Sequence, residues 1–248
     1  MFSQNIVAIG GGGFGRSLGN LEIEKYIISL VNKKVPKICF IPTASGDNDL
    51  YKLNFYRAFS KLKCETSHID FFSRTDELEE KVLSQDIIYV GGGNTKSMLA
   101  VWRDWNLHLI LKKAYENGII MSGVSAGAIC WFEKGITDSY SKNLQILNCL
   151  GFVEGTACPH FDEEKEREPY VNDLLNRDLI NSCICIEGYS ALHISKNGFK
   201  TVNFGEKKQC FLSPKLIVLN PSLLICKALY PSIQIHEFIK SLFNKSLT

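Results

Sequence analysis

Short apolar runs alternate with longer amphipathic segments over the first half of the chain. The apolar runs are rich in β-branched residues, as strands are, and the segments between them have helical spacing. The strand candidates are Ile6–Ile9, Lys37–Ile41, Glu65–Asp70, Asp86–Val90 and Ile119–Gly123. The helix candidates are Leu21–Val31, Asp49–Leu62, Leu78–Leu83 and Thr95–Ala114. This alternation predicts an α/β fold, with a mostly parallel central sheet and helices on both faces.

The pattern changes after about Phe132. A polar segment, Lys134–Asn143, leads to a Cys-Pro-His turn and then to a charged stretch of helical character, Asp162–Leu179. Short alternating runs separated by turn residues follow, and they predict a small antiparallel embellishment. These runs are Cys183–Ile186, Ala191–Ile194, Thr201–Phe204, Gln209–Leu212 and Leu216–Leu219, with a closing helix at Ile233–Phe243. Because no linker or repeat interrupts the chain, we expect a single domain over residues 1–248.

Composition excludes several classes of partner. A formal charge of +2 gives no electrostatic reason to expect nucleic acid. No apolar stretch approaches the length of a membrane span, and the start lacks the pattern of a signal peptide.

The nine cysteines are an odd number and several lie inside apolar runs, as expected of reduced thiols in the cytoplasm. Cys183 and Cys185 lack a second ligand pair, so we expect neither a metal nor a cofactor.

The stretch Gly123-Val124-Ser125-Ala126-Gly127 matches the G-x-S-x-G nucleophile elbow. In such an elbow a sharp turn between strand and helix exposes the serine, and small neighbours let the two elements approach closely. An apolar strand precedes this stretch and a helix-compatible run follows it. The sequence therefore predicts a serine nucleophile at Ser125, although a turn without chemistry also fits the bare pattern.

A serine nucleophile needs a general base and an acid that orients it. His160 is the preferred base because Cys158-Pro159-His160-Phe161 forms a rigid turn before a helix, and loops carry catalytic groups. Asp138 lies between nucleophile and base, although a turn-forming role would explain it equally well. The other histidines lie in predicted strands or helices; they are His68, His108, His193 and His236.

Four pieces of the sequence occur in the order seen in the peptidase E and cyanophycinase family of serine peptidases. They are Val90–Thr95, Gly123–Ala128, Thr137-Asp138-Ser139 and Cys158–Phe161, with Pro42–Ser45 as a further shared element. The chain resembles this family from Ile6 to roughly Gly188. The resemblance implies a fold like the class I glutamine amidotransferases and the triad Ser125, His160 and Asp138. Glu133, at the end of the elbow helix, is the rival for the acid.

The resemblance also implies an oxyanion hole and a substrate. The backbone N–H groups of Gly92 and Ala126 would hold the oxyanion. The substrate would be a short peptide, with an N-terminal aspartyl dipeptide as the specific case. Asn94, Arg167 and Glu187 are then the substrate-binding candidates, although Arg167 also fits solvated ion pairs with its glutamate neighbours. The protein would be a monomer or a homodimer.

Three other interpretations stay open. Gly10-x-Gly12-x-x-Gly15 fits a dinucleotide-binding loop, but no acidic residue ends the second predicted strand. An α/β-hydrolase esterase also uses G-x-S-x-G, but its histidine normally lies near the C-terminus of the chain. A binding protein that kept the fold and lost the activity is the non-enzymatic alternative.

Overall fold

The computed structural model describes residues 4–140, 143–205 and 208–214. The strands are β1 Asn5–Ile9, β2 Lys37–Ile41, β3 Glu65–His68, β4 Ile87–Val90, β5 Ile120–Val124, β6 Phe132–Thr137, β7 Gln145–Asn148, β8 Val153–Cys158, β9 Ser182–Ile186, β10 Ser190–Ser195, β11 Gly198–Asn203 and β12 Cys210–Pro214. The α-helices are α1 Glu22–Ser29, α2 Asp49–Phe59, α3 Leu78–Leu83, α4 Thr95–Asp104, α5 Leu107–Glu116, α6 Ala126–Ile129 and α7 Arg167–Asn176. The predicted strand at Leu216–Leu219 and the predicted helix at Ile233–Phe243, with His236, lie outside the described residues.

A seven-stranded sheet forms the centre of the molecule, in the order β11-β10-β1-β5-β4-β2-β3. The five neighbouring strands β1, β5, β4, β2 and β3 all pair in parallel. Beyond β1, the strands β10 and β11 extend the sheet by antiparallel pairing. The predicted mostly parallel α/β fold is therefore confirmed. Because parallel strands end at one edge, the loops after β1, β4 and β5 meet there.

Both faces of this sheet are covered. Along β1, Ile6 and Ala8 belong to one buried cluster, and Val7 and Ile9 belong to the other. The first cluster packs against α4 and α5, and the second packs against α1 and α2. A strand with both faces buried reads as a continuous apolar run, which explains why β1, β2 and β4 were recognisable.

In the second half of the chain, the strands are divided between two sheets in a way that was not predicted. A five-stranded sheet, β12-β9-β8-β6-β7, contains three strands that were not predicted. β6 overlaps the predicted polar segment, and β7 and β8 lie between that segment and the Cys-Pro-His turn. In this sheet β9 pairs in parallel with β8, whereas β10 and β11 join the first sheet. The antiparallel strands are thus divided between two sheets. Alternation specifies a strand but not its neighbour, so the pattern could not assign them.

Two predicted helices also differ from those observed. The single helix expected over Thr95–Ala114 is broken at Asn106, which has a left-handed backbone (φ 56°) and separates α4 from α5. Within Asp162–Leu179, only Arg167–Asn176 is α-helical. The residues before it form turns, including one that closes from the Glu163 N–H to the carbonyl oxygen of His160 at 3.0 Å.

None of the helices in the described part of the chain is both long and apolar enough to cross a membrane.

Candidate active site

Ser125 occupies a strained turn between β5 and α6. Its backbone lies at φ 58° and ψ −111°, a conformation that non-glycine residues rarely adopt. A Cβ on Gly123 would clash with the backbone of Gly127, and a Cβ on Gly127 would clash with the backbone of Val90. Both glycines are therefore required for the tight strand-to-helix packing of an elbow. Ser125 is partly exposed, whereas every other residue of Met121–Cys130 is buried.

The loop after β1 holds Ser125 and His160 together. The N–H of Ser125 donates to the carbonyl oxygen of Ile9 at 3.0 Å, and the N–H of His160 donates to that of Gly10 at 3.2 Å. Two consecutive carbonyls of one strand end thus fix the backbones of both predicted catalytic residues. His160 itself has a left-handed backbone (φ 51°) and is buried.

Glycine is needed in this loop because the site leaves no room for side chains. A Cβ on Gly11 would lie 2.7 Å from Oε2 of Glu163 and 2.8 Å from Nδ1 of His160. A Cβ on Gly10 would clash with the backbone of Glu187. The glycine run that also suggested a dinucleotide site is thus explained by the close approach of the chain to the site.

Glu163 contacts the imidazole of His160. Its Oε2 lies 2.6 Å from Nδ1 of His160, and its Oε1 is bound by the guanidinium of Arg16. Nη2 of Arg16 lies 3.3 Å from the same Nδ1. Partial burial would raise the pKa of Glu163, but the hydrogen bonds from Arg16 and His160 outweigh it and lower that pKa. Glu163 is therefore ionised at neutral pH.

The structure does not bring Asp138 to His160. Asp138 is exposed in the loop after β6, where its neighbours anchor the start of α4. The hydroxyl of Ser139 accepts from the N–H of Thr95 at 2.9 Å and lies 2.7 Å from that of Thr137. Glu133, the rival candidate, is exposed beside Lys134. The Nδ1 position that was expected to hold Asp138 is occupied by Glu163.

A sequence signal for Glu163 existed. It follows His160 by three residues, a spacing that brings two side chains to the same side of a single turn. The acidic run Asp162-Glu163-Glu164 was instead interpreted as the charged start of a helix.

The predicted oxyanion donors lie beside Ser125. A Cβ on Gly92 would lie 3.2 Å from Cβ of Ser125 and 3.7 Å from its Oγ. The N–H of Gly92 donates to the hydroxyl of Tyr51 at 3.3 Å. Ala126 is the first residue of α6, and its N–H is among those that a helix leaves unused at its start.

The three predicted substrate-binding residues make structural contacts instead. Asn94 caps α4 by accepting from the N–H of Ser97 at 2.8 Å. Arg167 is buried, where it binds Glu164 and the carbonyl oxygen of Ile136. Glu187 accepts from the N–H of Gln209 at 2.7 Å. None of the three lines the cavity in front of Ser125.

That cavity has a volume of about 390 Å³ and is lined by both Ser125 and His160. Its other lining residues come mainly from the loop after β1 and from the start of α2. They are Gly12, Gly15, Arg16, Ser45, Asn48, Leu50, Tyr51, Asn54, Gly92 and Val124. Sequence reasoning gave none of the residues from the start of α2 a place in the site, although Asn48, Tyr51 and Asn54 are spaced by three residues and share a helix face.

Within the residues that the structure describes, no three His, Cys, Asp or Glu side chains are grouped in a way that could hold a metal ion.

Comparisons with known proteins identify the family of this chain. The family model of peptidase family S51 matches residues 6–202. The chain is 44% identical over 202 residues to the uncharacterized peptidase YgaJ of Bacillus subtilis (strain 168), covering 81% of this chain and 87% of that protein.

Two crystal structures share the fold. A putative peptidase E from Listeria monocytogenes EGD-e has a TM-score of 0.62 at 18% identity, over 82% of this chain and 100% of that one. A peptidase from an acI-B1 Actinobacterium has a TM-score of 0.64 at 21% identity, over 84% of this chain and 93% of that one. The chain therefore belongs to peptidase family S51 and is a serine peptidase, as its resemblance to peptidase E predicted.

Proposed function

We propose that the protein hydrolyses short peptides through a triad of Ser125, His160 and Glu163. The observation that carries this proposal is the 2.6 Å contact between Nδ1 of His160 and Glu163, at a cavity that Ser125 also lines. A carboxylate on Nδ1 fixes the proton there, which leaves Nε2 as the basic nitrogen of the ring.

In the proposed reaction, Oγ of Ser125 attacks the peptide carbonyl carbon while Nε2 of His160 takes the hydroxyl proton. Glu163 stabilises the imidazolium that forms, and Arg16 holds the carboxylate in place from its other oxygen. The imidazolium then protonates the leaving amine as the C–N bond breaks. Water, activated by the same imidazole, releases the acyl group from Ser125.

The cavity supports short peptides more than a strict requirement for N-terminal aspartate. Aspartyl specificity was expected from Arg167 and Glu187, and both are engaged away from the cavity. The cation that lines the cavity is Arg16, and it is already bound to Glu163. Leu50 and Val124 add apolar surface, while Asn48 and Asn54 add amides that can bind a peptide backbone.

We place the reaction in the cytoplasm. The eight cysteines among the described residues are free thiols, which supports a reducing compartment.

The decisive experiment compares wild type with Ser125→Ala on a library of dipeptides and tripeptides, including Asp-Leu. Cleavage that is lost in Ser125→Ala supports the proposal, and the cleaved sequences define the specificity. A fluorophosphonate probe reports on Ser125 independently of the peptide. A folded wild-type protein that neither reacts with the probe nor cleaves any peptide would favour the silent binding protein.

A further inference from the structure

Tyr51 is a polar side chain that lines the same cavity as Ser125. It lies in the first turn of α2, and its ring passes between the loop after β1 and the loop after β4. A Cβ on Gly15 would come within 2.8 Å of the ring, and a Cβ on Gly91 would come within 2.9 Å. Both loops therefore need glycine in order to admit this side chain.

Packing fixes the position of the ring. Phe14 contacts it with a centroid distance of 5.3 Å, and Phe40 contacts it edge-on at 5.0 Å. The helix start that carries Tyr51 is itself capped, because Asn48 accepts from the N–H of Tyr51 at 3.0 Å. The hydroxyl is thus presented from a rigid support, as a preorganised donor must be.

The hydroxyl of Tyr51 accepts the N–H of Gly92, one of the two predicted oxyanion donors, at 3.3 Å. Gly92 itself lies close to the nucleophile, since a Cβ on it would be 3.7 Å from Oγ of Ser125. Among the described residues the hydroxyl has no acceptor for its own proton. Burial raises the pKa of Tyr51 to about 12, so the phenol keeps that proton at neutral pH. A neutral O–H with an unused hydrogen therefore lines the cavity beside the nucleophile.

We propose that Tyr51 is a catalytic residue that donates its hydroxyl hydrogen to the carbonyl oxygen under attack by Ser125. The inference rests on the proposed function of this site. When the Ser125 Oγ–carbon bond forms, the π electrons of the carbonyl move onto oxygen, and the serine proton goes to His160. Tyr51 transfers no proton, and it stabilises the charge on oxygen by a hydrogen bond until the C–N bond breaks.

This arrangement changes the role of Gly92. Its N–H points to the oxygen of Tyr51, so it acts on the oxyanion through the phenol. A hydroxyl whose oxygen accepts a hydrogen bond is polarised and donates its own hydrogen more strongly. The bond from the N–H of Gly92 should therefore strengthen the bond that Tyr51 donates to the oxyanion. The N–H of Ala126 would supply the second, direct hydrogen bond.

The test compares Tyr51→Phe with Tyr56→Phe. Tyr56 lies on the same helix, is also half-buried, and has its hydroxyl 2.6 Å from Nδ1 of His68, away from the cavity. The substrates are p-nitrophenyl acetate for kcat and KM and a fluorophosphonate for the rate of modification of Ser125. We expect Tyr51→Phe to lower kcat and the modification rate by about 10²-fold, the lower end of the effect of removing one oxyanion donor. KM should stay within about twofold, and Tyr56→Phe should match wild type.

Thermal unfolding of each variant separates catalysis from folding. If Tyr51→Phe does not fold, 3-fluorotyrosine at position 51 keeps the shape and makes the phenol a stronger donor, so Ser125 should be modified faster than in wild type. An unchanged rate in either variant overturns the inference, and so does a higher kcat in Tyr51→Phe, which would mean that the hydroxyl competes with the oxyanion.

Ser125→Ala distinguishes the two proposals. Activity that survives in Ser125→Ala refutes the proposed function, whereas an inactive Ser125→Ala beside a fully active Tyr51→Phe refutes only the role of Tyr51.

Discussion

His160 and Glu163 interact twice within one turn of the chain. Their side chains meet at 2.6 Å between Nδ1 and Oε2, and their backbones are joined by the 3.0 Å hydrogen bond from the Glu163 N–H to the His160 carbonyl. The proposed base and the proposed acid are therefore positioned by the same local structure. The loop after β1 adds support from outside this turn, because Arg16 binds the other oxygen of Glu163 and the carbonyl of Gly10 accepts the N–H of His160.

Glu163→Gln should reveal the acid of the triad. The amide keeps the shape of the side chain but loses the charge that stabilises the imidazolium and can leave the ring in the wrong tautomer. We expect kcat to fall by about 10³- to 10⁴-fold with little change in KM, as in other triads that lose their acid. Steady-state kinetics on a cleaved peptide from the library would measure both quantities.

Asp138→Asn is the matched control, since Asp138 is exposed and Glu163 occupies the Nδ1 side of His160. Its kcat should stay within about twofold of wild type, because exposed substitutions away from the site change little. A large loss in Asp138→Asn together with an active Glu163→Gln would return the role to Asp138.

Gly11→Ala tests whether the first loop sets the catalytic geometry. The added Cβ would lie within 2.8 Å of both the Glu163 carboxylate and Nδ1 of His160, so one of the two must move. Activity should fall by about 10²-fold or more, since small displacements of a catalytic group have effects of that size. Gly19→Ala is the control, because its Cβ would meet only Oγ of Ser17, at 3.6 Å. If both variants keep full activity, the loop does not constrain the pair.

The elbow and the parallel strands were predictable because each depends on local chemistry. The G-x-S-x-G pattern occupies five consecutive residues, within which Gly123 packs against the backbone of Gly127, and continuous apolar runs identify strands that are buried on both faces. A motif of this kind carries its own structural reason, so Ser125 and its elbow could be found without knowing the rest of the fold.

Features that depend on distant contacts were not predictable in the same way. Arg16 reaches Glu163 across 147 positions of sequence, and Tyr51 reaches Gly92 across 41. The family resemblance suggested Arg167 as a cation for the substrate, yet its side chain is buried and donates to the carbonyl oxygen of Ile136. Which sheet β9 and β10 join likewise follows from tertiary packing that alternation does not encode.

Arg16→Ala should weaken catalysis without removing it. The guanidinium holds one oxygen of Glu163 while the other contacts His160, so its loss lets the carboxylate rotate away from the ring. We expect kcat to fall by about 10-fold, as a charge-assisted hydrogen bond contributes about 1.5–3 kcal/mol and only part of it affects the transition state. Arg16→Lys keeps the charge but lacks the planar fork, and it should give an intermediate kcat.

A wild-type kcat in Arg16→Ala would mean that the turn alone holds Glu163. A rise in KM with unchanged kcat would instead assign Arg16 to substrate binding.

Acid should destabilise the fold through Asp162, which directly precedes Glu163 in the chain. Partial burial would raise its pKa, but hydrogen bonds from Lys208 and from the N–H of Gly188 outweigh burial and lower it. A carboxyl with a lowered pKa in the folded state stabilises that state above its unfolded pKa of about 3.9, and the contribution is lost as the pH falls through the folded value.

Asp162→Asn keeps the acceptor for Gly188 and removes the charge. Its free energy of unfolding, measured in urea, should be lower than that of wild type at pH 7, and the difference should shrink between about pH 5 and pH 3. Asp76→Asn, at an exposed position, should follow wild type throughout. A difference between Asp162→Asn and wild type that stays constant down to pH 3 would show that the charge of Asp162 does not stabilise the fold.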